Sequence, residues 1–94
     1  LPESFTLGQN YPNPFNPETN IPFTVALPSY VQISIYNLLG QKVVNLESRW
    51  FDMGQYNVRW NGKDAQGNQL STGVYIYSLE SAEFRKAKKL ILMK

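Results

Sequence analysis

Neither cysteine nor histidine occurs in this 94-residue chain. Without cysteine there is no disulfide framework and no thiol nucleophile, and the redox compartment stays open. Without histidine the commonest general base and metal ligand is missing. The seven carboxylates, Glu3, Glu18, Glu47, Asp52, Asp64, Glu80 and Glu83, are spread along the chain and form no local acid–base pair. No glycine-rich phosphate loop follows a strand and opens a helix. These absences point away from catalysis, and no cofactor or metal is expected. No run approaches the roughly 20 apolar residues of a helical membrane span. The chain opens on Leu1-Pro2-Glu3 with no initiator methionine and no signal peptide, and strand-like residues run on to Lys94. That pattern reads as a C-terminal segment cut from a longer protein. A net charge of +2 is too small to call for a polyanion, so nucleic acid is not an expected partner.

What is present is strand and turn chemistry. Two Trp, six Tyr and five Phe accompany many Val, Ile and Leu, with six Gly and six Pro as punctuation. Val31, Ile33 and Ile35 alternate with Gln32, Ser34 and Tyr36, the two-residue period of a strand with one buried face. Asn37 suits the first position of a type I turn and Gly40 the left-handed position before a G1 bulge, so Lys42, Val43 and Val44 return as a hairpin. The other strands are expected to be arranged around this hairpin. Phe5 and Leu7 predict a short first strand. Ile21, Phe23, Val25 and Leu27 predict the buried face of a second, which Pro22 marks as an edge. Tyr56, Val58 and Trp60 predict a further half-buried strand; Val74 to Leu79, apolar or aromatic on both faces, a central one; and Phe84 to Lys94 the last. About seven strands with a turn signal every ten residues or so predict one all-β domain over 1–94, an immunoglobulin-like antiparallel β-sandwich.

The connecting segments carry the remaining candidates. Pro12, Pro14 and Pro17 forbid regular structure from Asn10 to Pro17, where Tyr11 and Phe15 are expected to cover one end of the core. Trp50 and Phe51 are adjacent, so in an extended segment one of them points outward. Exposed aromatics such as Tyr30, Trp50 or Phe51 would be sugar-stacking platforms in a carbohydrate-binding module of a secreted enzyme, and a structural spacer is a further alternative. Asn61, Asp64 and Asn68 carry oxygen ligands, but EF-hand spacing is absent and a single carboxylate holds calcium weakly, so turn chemistry is the reading. Arg85, Lys86, Lys88, Lys89 and Lys94 are five of the nine cations. Alternation sends Lys86, Lys88 and Lys94 to one face and Arg85 and Lys89 to the other, as expected of lysines that keep a sheet edge from pairing.

Four blocks, in order, carry a family resemblance. Gln9-Asn10-Tyr11-Pro12-Asn13-Pro14-Phe15-Asn16-Pro17 with Thr19, Ile21 and Phe23 resembles the opening of the C-terminal type A sorting domain of the bacterial type IX secretion system. Ile35 to Val43, with Tyr36, Leu39 and Gly40, resembles its central motif; Trp60-Asn61-Gly62 with Asp64 and Gly67 the next; Ser71-Thr72-Gly73-Val74-Tyr75 with Lys89 to Lys94 its end. Many members have Asp where this chain has Asn61. The related domain of flagellar hook-capping proteins shares the Trp-x-Gly and Gly-Val-Tyr blocks and lacks the Asn-Pro-Phe-Asn-Pro opening. The resemblance implies a non-catalytic β-sandwich at the end of an exported cargo protein, passed through the periplasm and read by an outer-membrane translocon as an address for the cell surface or medium. In many members attachment machinery then removes it as cargo is anchored. On that basis the expected recognition element is the hairpin from Gly73, Val74 and Tyr75 through Arg85, Lys86, Lys88, Lys89, Leu90, Ile91, Leu92 and Lys94. Its last strand would offer backbone groups by β-augmentation, with the cations steering the encounter.

Overall fold

The alternation becomes seven strands in the computed structural model, which describes residues 4–82 and 84–93. They are β1 (Thr6–Leu7), β2 (Thr19–Val25), β3 (Ser29–Tyr36), β4 (Lys42–Phe51), β5 (Gly54–Trp60), β6 (Gly73–Glu80) and β7 (Arg85–Leu92). A three-stranded sheet of order β1-β2-β5 faces a four-stranded sheet of order β4-β3-β6-β7, and every pairing is antiparallel. Lys94 of the expected recognition set, and Glu3 and Glu83, lie outside the described residues.

Inward residues of both sheets form one core. β3 contributes Val31, Ile33 and Ile35; β6 Tyr75, Tyr77 and Leu79; β2 Ile21, Phe23 and Val25; β5 Val58 and Trp60; β7 Leu90 and Leu92. β3 and β6 occupy the middle of the larger sheet, as their apolar content requires. The β3–β4 turn closes on Asn37, whose Oδ1 accepts the amides of Leu39 (2.9 Å) and Gln41 (3.0 Å), while Gly40 takes a φ of 84°. β4 runs past Ser48 to Phe51, placing Trp50 outward and Phe51 in the core.

Three expectations need correction. Leu27 is exposed, because β2 stops at Val25 and the chain from Ala26 to Pro28 crosses between the sheets. Tyr11 covers nothing: its backbone bridges to Asn20 and its side chain is 78% exposed, leaving Phe15 to close the core. β2 is the centre of its sheet, not an edge, despite Pro22. The missing donor falls where β1 has run out: Gly8 N donates to the Pro22 carbonyl (2.8 Å), and the Gly8 carbonyl, which proline cannot serve, accepts from Tyr77 Oη (2.7 Å). The approach is close, since a Cβ on Gly8 would lie 2.8 Å from Pro22 Cγ.

Candidate functional site

Antiparallel order gives the sandwich two ends. Ser4, whose carbonyl accepts from Thr24 Oγ1, lies at the end that also carries the Val25-to-Ser29, Phe51-to-Gly54 and Glu80-to-Arg85 connections. This is the proximal end. The distal end, along a long axis of 37 Å, receives the loop from Gln9 to Glu18, the Asn37–Gly40 turn, the segment from Asn61 to Thr72 and the end of β7. All four sequence blocks thus meet at one end.

Aromatic packing joins them. The Phe15 ring lies 5.5 Å from Trp60, and Trp60 lies 5.9 Å from Tyr75 in an edge arrangement. Trp60 Nε1 donates to the Lys63 carbonyl (2.9 Å), and Tyr75 Oη donates to the Ser71 carbonyl (2.7 Å), so each polar tip is satisfied. Gly62, at φ 77°, turns against Leu92: an added Cβ would meet Leu92 Cδ1 at 3.2 Å. Asp64 Oδ1 accepts from Gln66 N (3.0 Å) and Asn68 N (2.9 Å), and Asn61 Oδ1 accepts from Lys63 N (3.1 Å). These oxygens lock turns. Among the described residues, no group of three or more Asp, Glu, His or Cys is placed to hold a metal.

The proline loop is tied to the core and to the last strand. Tyr77 Oη also accepts from Asn10 N (2.9 Å), and Asn10 Nδ2 donates to Thr19 Oγ1 (3.0 Å). Burial pushes the Tyr77 hydroxyl above its ordinary value, an effect the Asn10 amide partly offsets. At β7, Phe15 N donates to the Ile91 carbonyl (3.0 Å), Met93 N to the Phe15 carbonyl (3.0 Å), and Ile91 N to Asn13 Oδ1 (2.9 Å). Gln9 Nε2 reaches the Lys89 carbonyl (3.0 Å). The outer edge of β7 is therefore closed over the half where Leu90 and Leu92 are buried.

The expected recognition residues divide accordingly. Gly73, Val74, Tyr75, Leu90, Ile91 and Leu92 belong to the distal, closed half. Arg85 and Lys86 lie at the proximal end opposite Glu80 and Leu79, with Lys88 and Lys89 between. By parity with Ile91, the amides and carbonyls of Arg85 and Ala87 face the outer edge, and no hydrogen bond to them from that side is found among the described residues. Arg85 pairs with Glu80 (3.4 Å), both ends in solvent, a weak pair. The far edge, β4, is blunted by two register shifts and by the inward Glu47–Arg49 pair (3.1 Å), whose guanidinium lies 3.7 Å from the Phe51 ring centroid.

Sequence reasoning missed two features. The Asn13 carboxamide clamps the last strand, a contact across the whole chain that local pattern cannot reveal. Leu39, grouped with structural motif residues, is 86% exposed beside exposed Leu38. Leucines at the centre of a type I turn, where polar residues are usual, were a legible signal.

Comparison with known proteins gives a consistent result. The profile of the family described as "Secretion system C-terminal sorting domain" matches residues 9–93. Part of dimeric latent PorU from Porphyromonas gingivalis superimposes with a TM-score of 0.74 at 19% identity, covering 99% of this chain and 10% of that one. PorZ, described as an essential surface component of the type-IX secretion system of the same organism, superimposes with a TM-score of 0.64 at 20% identity, covering 92% of this chain and 11% of that one. At these identities the likeness establishes the fold, and the chain spans about a tenth of either protein. Among curated protein sequences no relative is found.

Proposed function

This chain belongs to the secretion system C-terminal sorting domain family, and from that premise we propose how it is read. The family is the sorting signal of type IX secretion and marks proteins for export to the cell surface or medium. We infer that the domain is non-catalytic, ends a larger secreted precursor, and presents the open half of β7, from Arg85 to Lys88, to the outer-membrane translocon after the periplasm is reached. The observation carrying this reading is the coincidence of cations with the one stretch of β7 edge that the proline loop leaves uncovered. Backbone groups of Arg85 and Ala87 supply the added ladder, and Arg85, Lys86, Lys88 and Lys89 steer the encounter. Cargo attaches at the proximal end, beside Ser4. The motif residues at the distal end keep the last strand in place.

The test places residues 1–94 behind a fluorescent reporter with a signal peptide, in hosts with and without a working type IX translocon. Surface or medium fluorescence is expected only with the translocon; fluorescence confined to the periplasm in both hosts would overturn the sorting role for this chain. Replacing Lys86, Lys88 and Lys89 by Gln is expected to slow export while the purified domain keeps its melting temperature. Unchanged export of that variant would remove β7 as the contact and leave the sorting role standing.

A further inference from the structure

The outer face of the larger sheet carries Tyr36, Val74, Ile76 and Ile91 toward its distal end, polar rows across its middle, and a second apolar cluster at its proximal end. There Tyr30 on β3 and Trp50 on β4 are directly paired across the strands, 49% and 60% exposed. Tyr30 Oη is held by the Ser48 carbonyl (3.1 Å) and hydroxyl (3.0 Å), which fixes its ring against β4. One register step inward, Ser48, Gln32, Glu80 and Arg85 form a polar row across all four strands. Between the rows lies an open groove of about 460 Å³, floored by Leu27, Tyr30 and Trp50 and walled by Gln32, Glu80 and Ser81. None of these side chains packs the core, and none belongs to the four sequence blocks.

We propose that this groove is a second binding site, for a neutral, equatorially linked pyranose chain. A pyranose with equatorial substituents has an apolar C–H face and a rim of hydroxyls. Tyr30 and Trp50 offer the stacking surface for the face. The Gln32 amide, the Glu80 carboxylate and the Ser81 hydroxyl offer the donors and acceptors for the rim. The lining selects against anions: among the described residues that line the groove the Glu80 carboxylate is the one charged group, so no cation there draws a phosphate or an acidic peptide. The scale selects a small ring. A stable protein interface needs about 800 Å² per partner around an apolar centre, whereas two rings and a leucine here give way at once to the polar row of Ser48, Gln32 and Glu80. Glycan binding would hold an exported protein at a polysaccharide surface, a role separate from the β7 contact with the translocon.

The test titrates the folded 1–94 domain with cellohexaose, laminarihexaose and β-1,4-mannohexaose. Intrinsic fluorescence reports the site, because Trp60 is 2% exposed and Trp50 is the tryptophan a ligand reaches. Saturable change with at least one hexasaccharide is expected, weakened about tenfold or more by Trp50→Ala and by Tyr30→Ala, with calorimetric affinity following and melting temperature unchanged. No saturable response to any of the three overturns the proposal. So does binding that survives Trp50→Ala, or a Trp50→Ala variant that binds no sugar less well than the parent yet fails in the reporter export assay, which would make the groove a protein contact. The export of wild-type reporter is read separately, so failure of the sorting role and failure of the sugar site are distinguishable.

Discussion

At the scale of single residues, hydroxyl groups divide the molecule into satisfied and unsatisfied positions. Tyr77 Oη bridges Asn10 N and the Gly8 carbonyl inside the core. Tyr77→Phe leaves both backbone groups without that partner and is expected to cost about 1–3 kcal/mol in a denaturant melt. Its raised pKa has a second consequence. The folded state holds the phenolic proton more tightly than the unfolded chain, so the stability it contributes is complete below the ordinary value near 10 and is lost as pH rises through the folded value. The parent is expected to lose stability in that alkaline window more steeply than Tyr77→Phe, as thermal melts across it would read. Ser78 is the opposite case. Its buried Oγ has no hydrogen-bond partner among the described residues, so Ser78→Ala is expected to be neutral or stabilising by up to about 1 kcal/mol, visible as a rise in melting temperature. A marked loss would mean that the hydroxyl has a partner in solution.

At the scale of elements, the proline loop and β7 act as one unit. The loop has no ladder of its own, yet it completes the ladder of the last strand through Asn13 and Phe15. Asn13→Ala removes the acceptor for Ile91 N and is expected to cost about 1 kcal/mol, or roughly 4–8 °C in melting temperature for a domain of this size. Hydrogen exchange should then quicken at Ile91 and not in β3. Deleting residues 90–94 is a far larger change, since Leu90 and Leu92 are buried in the core; Leu92→Ala alone is expected to cost about 2–5 kcal/mol. Failed export of such a truncation would report unfolding, which is why the glutamine substitutions are the cleaner probe of recognition.

At the scale of the whole molecule, Trp60 ties the two sheets together through Phe15 and Tyr75. Because one core spans both sheets, urea unfolding followed by Trp60 fluorescence and by far-ultraviolet circular dichroism is expected to give coincident transitions. Separated midpoints would show that the sheets or the loop melt independently. The arrangement also separates tasks in space. Ser4 and the aromatic groove sit at the proximal end, the motif residues at the distal end, and the open basic half of β7 runs between them.

Period and punctuation determined a great deal of this protein. Val31, Ile33 and Ile35 could face only inward, Asn37 and Gly40 could form only a tight reversal, and the apolar run of β6 could sit only in the middle of a sheet, because each depends on neighbours within a few residues. The family was legible for the same reason, in blocks each of local spacing. Tertiary structure alone decided what depends on distant partners. Pro22 signalled an edge, yet the place where β1 ends and Tyr77 reaches Gly8 made a central position tolerable. The last strand looked open along its length, yet Asn13 and Phe15, almost eighty residues earlier, close half of it. Tyr30 and Trp50, twenty residues apart, became a pair through strand register, and register is set by the packing of the whole sheet.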